Sequence, residues 1–197
     1  MRAWWFIAAI GAFGLWQCAT QREISHPPGV LAAAEPRQEA IHGAPPALIK
    51  PGYKITALAS FDTTARVILA EHYRFDREAD LAPVDLALGW GRLSDTSVLD
   101  QLSFSQDHRF YYYRWHAAPP VPVTEIVTHS ANMHMIPAND AVAKRLSRVR
   151  AGSLVRFSGY LVKVEAPDGW AWVSSLTRDD TGAGACELVW VDDLETL

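Results

Sequence analysis

The stretch that decides the fold is GSLVRFSGYLVKV, residues 152–164. It is rich in β-branched and aromatic residues, which favour β-strands. Gly159 lies near its middle, and a glycine inside a strand is typical of a bulge or a sharp bend. We therefore predict one long, bent strand in this part of the chain.

A helix is predicted immediately before this strand, in ANDAVAKRLSRVRAG (residues 138–152). Asn139 or Asp140 can cap its start, and Gly152 can end it. Three apolar residues at the spacing i, i+4, i+7 form one helical stripe. They are Val142, Leu146 and Val149.

The rest of residues 51–197 also favours strands, with turn signals between them. PDG and RDDTGAGA predict turns, while DREADLAPVDLALGWGRL predicts a long loop with a short helix and SDTSVLDQL another short helix. The remaining strands are predicted in YKITALASF, TTARVILAEHYRF, HRFYYYRWH, VPVTEIVTHSANMHMI, WAWVSSLT and CELVWVDDL. We predict a mainly β, β-rich α+β domain over residues 51–197.

The order of these elements resembles an OB-type barrel, in which a helix lies between the third and fourth strands. GSLVRFSGYLVKV carries most of this resemblance, which covers about residues 120–197. It implies a small barrel with one or two short helices.

The N-terminus predicts a membrane anchor or signal segment over residues 1–20. AWWFIAAIGAFGLW (residues 3–16) is uninterrupted apolar sequence after Arg2. About 18 residues at a rise of 1.5 Å give roughly 27 Å of helix, enough to cross a hydrocarbon core. An uncleaved signal-anchor is our first interpretation; a lipoprotein modified at Cys18 and a cleaved signal peptide are the alternatives. Arg2 places the remainder outside the cytoplasm, which predicts a single-pass inner-membrane protein with a periplasmic domain.

Residues 21–50 are rich in proline and alanine and predict an extended, unpacked linker. The chain has a net charge of −4, so we expect no nucleic-acid partner. Its cysteines are Cys18 and Cys186, which excludes a disulfide scaffold and a CxxC motif.

THSANMHMIPAND (residues 128–140) is the stretch that most resembles a site. Side chains alternate along a strand, so His129 and His134, five residues apart, would point to opposite faces. They are therefore weak candidates for a shared metal site, and we predict no cofactor. The candidate binding residues are Ser130, Asn132 and His134, which share one polar face, with Tyr112 and Arg114 from HRFYYYRWH.

The aromatic residues of HRFYYYRWH fall on both faces of the predicted strand. They favour a central strand covered on both sides. The alternative is a stacking platform for sugars or bases.

A thiol- or metal-dependent enzyme that uses His134, Asn132 and Cys186 is the alternative function. Cys186 could act as a nucleophile, with His134 as its base and Asn132 orienting the imidazole. His129 could assist. This chemistry requires the thiol to be accessible and within hydrogen-bond reach of His134.

HSANMHMIPAND (residues 129–140) and TGAGACELVWV (residues 181–191) resemble uncharacterised, membrane-anchored exported proteins of Gram-negative bacteria. This resemblance implies no known activity. The sequence thus favours a membrane-tethered, non-catalytic periplasmic module. Its expected partners are the membrane, through the N-terminal helix, and either another envelope protein or a small ligand.

Overall fold

The computed structural model describes residues 22–180, 182 and 184–197. The strands are β1 (Arg37–Ala40), β2 (Ile49–Lys50), β3 (Tyr53–His72), β4 (Val84–Gly89), β5 (Leu102–Asp107), β6 (Phe110–Trp115), β7 (Ser130–Pro137), β8 (Leu154–Glu165), β9 (Ala171–Val173) and β10 (Glu187–Thr196). The helices are α1 (Arg77–Leu81), α2 (Thr96–Leu99), α3 (Val123–Thr128) and α4 (Asp140–Leu146), with a 3₁₀ turn at Gly91–Ser94. The protein is mainly β, as the sequence predicted.

Most strands belong to one curved sheet. Its order is β1-β3-β4-β7-β10-β8-β9, with β2 paired to β3. β3 also pairs with β8, which closes part of the sheet into a five-stranded ring of β3, β4, β7, β10 and β8. The β7–β10 pair is parallel and the other pairs of the ring are antiparallel. The β5–β6 hairpin forms a separate two-stranded sheet.

The ring has an apolar core on its inner face and a smaller one on its outer face. Because side chains alternate along a strand, β7 contributes to both. Met133 and Met135 pack with Phe61 and Phe157 inside the ring. Ile136 packs outside it, with α1, β8 and β10. The polar residues on the outer face of β7 therefore lie in a largely covered layer.

The decisive stretch folds as predicted. β8 runs unbroken over Leu154–Glu165, and a Cβ at Gly159 would meet the Trp190 carbonyl oxygen at 1.8 Å. The register of β10 against β8 shifts between Val191 and Asp193, beside this close approach. Asn139 caps α4 by accepting a hydrogen bond from the Val142 amide at 3.1 Å. The predicted helix and its N-cap are confirmed, but the helix ends at Leu146 and not at Gly152.

Two segments differ from their predictions. Residues 84–89, predicted as loop, form β4, and all six are buried between β3 and β7. A strand covered on both faces has no alternation for the sequence to reveal. Val123–Thr128, predicted as strand, is helix α3, which begins after Pro122 and buries Ile126. Tertiary packing here overrides the strand preference of its β-branched residues.

HRFYYYRWH also differs. It does form strand β6, but β6 pairs with β5 alone, and its residues alternate between exposed and half-buried. The prediction of a central strand covered on both sides was therefore wrong, because aromatic content alone does not reveal how many neighbours a strand has.

Residues 22–50 are not an unpacked linker. β1 pairs with β3, and Ala32 is buried in the inner core. The ring nitrogen Nε2 of His26 lies 2.7 Å from the carbonyl oxygen of Gly152. The predicted anchor, residues 1–20, lies outside the described residues. Within the described part of the chain, none of the helices has the length and apolar character needed to span a membrane.

Candidate functional site

The structure places Ser130, Asn132 and His134 side by side on the outer face of β7, and all three are buried. Buried polar side chains are costly unless they are paired. Their partners come from β4 and from the β5–β6 hairpin, which folds over this face. The polar face predicted from the sequence therefore lies at the interface between the ring and the β5–β6 hairpin, which we call the seam.

His134 contacts a buried carboxylate. Its Nδ1 lies 2.9 Å from Oδ2 of Asp85, and its side chain is 4% exposed. The two atoms are close, but their orientation is not that of a well-aligned hydrogen bond. The His134 ring also packs against Trp172, with ring centroids 4.7 Å apart. These contacts give His134 a structural role in the outer core.

Arg109, at the tip of the hairpin, reaches the same carboxylate. Its Nη1 donates to Oδ1 of Asp85 at 2.8 Å and to the Ala82 carbonyl oxygen at 2.9 Å. The guanidinium lies over the Tyr73 ring at 3.7 Å from its centroid, a cation–π arrangement. Arg109 has a φ of +70°, an uncommon conformation for a non-glycine residue. Asp85 thus joins the hairpin tip to β4 and β7.

Two further hydrogen-bonded groups fasten the hairpin. Asn132 donates to the Arg109 carbonyl oxygen at 2.8 Å and accepts from the Gln106 amide at 2.7 Å. Oγ of Ser130 lies 2.7 Å from the Tyr111 hydroxyl oxygen and donates to the Ile126 carbonyl oxygen at 2.6 Å. Burial raises the pKa of Tyr111 well above its usual value, so this phenol stays protonated. Asn132 and Ser130 therefore hold the hairpin against the ring.

A cavity of about 620 Å³ lies between this hairpin and the rim loop, which we define as residues 174–180, 182 and 184–186 between β9 and β10. This volume is within the range of small-molecule sites. β7 contributes Ser130, Ala131 and Asn132 to its wall. The hairpin contributes Tyr111 and Tyr113 as well as the predicted residues Tyr112 and Arg114. Four of the five predicted binding residues thus line one cavity, and His134 is not part of its lining.

The cavity wall also contains a buried acid that the sequence analysis missed. Glu187 is 3% exposed, and its Oε2 has no hydrogen-bond partner among the described residues. Burial raises the pKa of this carboxyl to about 8, against smaller opposing effects of a hydrogen bond from its own backbone amide and of the Arg178 charge. A signal was present in the sequence, because Glu187 is a lone acid at the head of the apolar run LVWV. Asp85, inside VDLALG, gave the same kind of signal.

Cys186 lines the cavity beside Asn132, with which its thiol forms a hydrogen bond, but the structure does not place it against His134. Burial raises the pKa of its thiol to about 11, and the nearby Glu187 carboxyl adds to this effect. Its Sγ lies 3.8 Å from the Arg109 carbonyl oxygen, and no hydrogen bond joins it to His134 within the described ranges. In the register of β10 against β7, Leu188 is the neighbour of His134. The structure therefore does not bring the predicted nucleophile and base together.

His129 lies apart from His134. It caps the C-terminus of α3, and its Nδ1 lies 2.9 Å from the Thr128 hydroxyl oxygen. Its ring packs near Trp90, with centroids 6.5 Å apart, and Nε2 is 3.8 Å from a Glu35 carboxylate oxygen. Among residues 22–180, 182 and 184–197, no three His, Cys, Asp or Glu side chains are grouped in a way that could hold a metal ion.

Comparisons of this chain with protein-family models, with curated proteins and with solved structures gave no significant match.

Proposed function

We propose that this chain is a membrane-tethered, non-catalytic binding module that holds a small ligand in the cavity between hairpin and rim loop. The observation that carries the proposal is the cavity itself, which combines a volume of about 620 Å³ with aromatic and polar walls. Ligand sites commonly have this composition. The tether and the periplasmic location are the parts of the proposal that rest on the N-terminal sequence.

We further propose that the ring is an OB-like barrel. Taken in chain order, its strands are neighbours in the order 1-2-3-5-4, and the first also pairs with the fourth. Helix α4 lies between the third and fourth of them. OB-folds bind ligands on the face of their second and third strands and in the loop between the fourth and fifth. In this chain β7 and the rim loop occupy those positions, which supports ligand binding at the cavity.

A cavity-filling variant tests this proposal. We expect ligand-observed NMR with a small-fragment library to find binders of the full chain in detergent micelles. Ala185, in the rim loop, lines the cavity and is half-buried, so Ala185→Phe should place a ring in the cavity and lose these binders. Ala171→Phe is the matched control, because Ala171 is an exposed strand residue outside the cavity lining. Equal binding to both variants, or no binder of the wild-type chain, would overturn the proposal.

A further inference from the structure

Among the described residues, two that line the cavity have a buried polar atom without a hydrogen-bond partner, Glu187 at Oε2 and Arg178 at Nε. Ser130, Asn132 and Tyr111 are all hydrogen-bonded at the seam, whereas Oε2 of Glu187 has no partner among the described residues. Glu187 has the same strand parity as Val189 and Val191, which pack in the inner core. Its carboxyl therefore lies at the end of the ring interior, beside the cavity that it lines.

Aromatic rings stand on the hairpin side of the same cavity. Tyr111 and Tyr113 lie on the half-buried face of β6, with ring centroids 6.1 Å apart and ring planes at 41°. Aromatic rings and a carboxyl group in one cavity can together bind an ammonium group, because cation–π attraction and ionic attraction act on the same charge.

Glu187 decides the net charge of the cavity lining, because the other acidic and basic residues balance. The acidic lining residues are Asp107, Asp180 and Glu187, and the basic ones are Arg114 and Arg178. Arg178 lies near enough to Glu187 to lower its pKa, while its Nη2 donates to the Gln38 amide oxygen at 3.4 Å and its guanidinium lies 5.7 Å from the Phe61 ring centroid. The other titratable groups of the lining are Tyr111, Tyr112, Tyr113 and Cys186.

We propose that the ligand of this cavity is an organic ammonium cation, with its nitrogen at Glu187 and its apolar part against Tyr111 and Tyr113. This inference rests on the proposed binding function and names its ligand class. Binding then includes a proton step. The protonated Glu187 carboxyl gives up its proton to the buffer, and the resulting carboxylate pairs with the ammonium group, so each ligand bound releases one proton.

The pH dependence of affinity follows from this step. Because burial raises the pKa of Glu187 to about 8, the carboxyl must lose its proton for the cation to bind at neutral pH. Affinity for an ammonium ligand should therefore rise with pH, approaching about tenfold per unit well below that pKa, and level off above it. A neutral ligand of the same shape should show no such rise.

The experiment compares 2-phenylethylammonium chloride with 2-phenylethanol, by calorimetry on the full chain in detergent micelles. At pH 8 we expect the ammonium probe to bind at least tenfold more tightly. At pH 6.5, titrations in buffers of different ionisation enthalpy should show release of about one proton per ammonium bound. Equal affinities for the two probes would overturn the proposal.

Variants separate the carboxyl from the rest of the cavity. Glu187→Gln mimics the protonated acid, so the chain should fold and lose both the ammonium preference and the proton release. Glu195→Gln is the matched control, because Glu195 is an exposed residue of the same strand that pairs with Arg156. Tyr113→Leu should weaken binding of the ammonium probe about threefold or more, and proton release on binding should remain. An ammonium preference that survives Glu187→Gln would overturn the role of this carboxyl.

The two proposals fail in different ways. If neither probe binds while fragments bind the wild-type chain and not Ala185→Phe, the ammonium class is overturned and the binding cavity stands. If no fragment binds the wild-type chain either, both proposals are overturned.

Discussion

At the scale of single residues, Asp85 is a fully buried acid whose stability in the fold depends on its partners. It has no exposure and contacts both Arg109 and His134. Without Asp85, His134 loses its carboxyl neighbour and Arg109 keeps only the Ala82 carbonyl oxygen and the more exposed acids Asp76 and Glu78. Breaking a buried ionic group typically costs about 3–5 kcal/mol, and these remaining partners favour the lower end. We expect Asp85→Ala to lower the free energy of unfolding by about this amount, measured by urea denaturation.

The control for Asp85 is an exposed acid. Asp193 pairs with Arg145 at 2.7 Å, and both side chains are largely exposed. Exposed pairs contribute about 0–1 kcal/mol, so Asp193→Ala should be nearly neutral. If Asp85→Ala lost no more stability than Asp193→Ala, the buried Asp85 group would not be a net stabiliser of the fold.

Cys186 tests the enzyme hypothesis. Burial raises the pKa of its thiol to about 11, so the native thiolate should be scarce at pH 8. In a Cys18→Ser background we expect iodoacetamide to label the native chain on the order of 100-fold more slowly than the denatured chain. His134→Ala should not change the native rate, because no hydrogen bond joins the two side chains. Fast native labelling that depends on His134 would restore the enzyme hypothesis.

At the scale of elements, the stability of the β5–β6 hairpin depends on its side-chain contacts with the ring. An isolated two-stranded hairpin is marginally stable in water. Here Arg109 anchors its tip to Asp85, and Asn132 and Ser130 bind its strands. We expect Arg109→Ala to raise the hydrogen-exchange rates of amides in β5 and β6 at least tenfold, since local opening there would cost less.

The ring provides an internal reference for this measurement. The amides of β3 and β8 should exchange much as in the wild-type chain, because their long pairing does not involve the hairpin. Arg114→Ala is the matched control, since Arg114 is an exposed arginine of the same hairpin. Uniformly faster exchange in all strands would mean that Arg109 stabilises the whole fold and not the hairpin alone.

At the scale of the whole molecule, Glu187 should make stability depend on pH. Its folded pKa is about 8, above the value of about 4.3 for an exposed glutamate. The contribution of the protonated carboxyl to folding stability is therefore fully present below the pKa of the unfolded state. It is lost as the pH rises through the pKa of the folded state. We expect Glu187→Gln to match the wild-type chain at pH 4 and to be more stable by a few kcal/mol at pH 9, by urea denaturation.

Glu195→Gln, in the same strand, should show no such divergence between pH 4 and pH 9. If wild-type stability relative to Glu187→Gln did not fall over this range, the Glu187 carboxylate would have to be paired or hydrated in the folded chain. That result would also remove the basis for proton release on ligand binding.

The sequence by itself determined those features that depend on neighbours along the chain. Asn139 followed by the stripe of Val142 and Leu146 specifies α4, because capping and helical periodicity act within a few residues. The β-branched run around Gly159 specifies β8 in the same way. The alternation along β7 also placed Ser130, Asn132 and His134 on one face before any partner was known.

Only the tertiary structure decided what those side chains meet. Asp85, Arg109 and His134 are separated by at least 24 residues in sequence, and the hairpin crossing brings them together. The sequence of β4 shows no periodicity because neighbours cover both of its faces. Glu187 is a buried acid because β10 is a strand of the ring and Glu187 faces the ring interior. Burial and pairing between distant residues depend on how the strands are ordered in space, and no local pattern in the chain encodes that order.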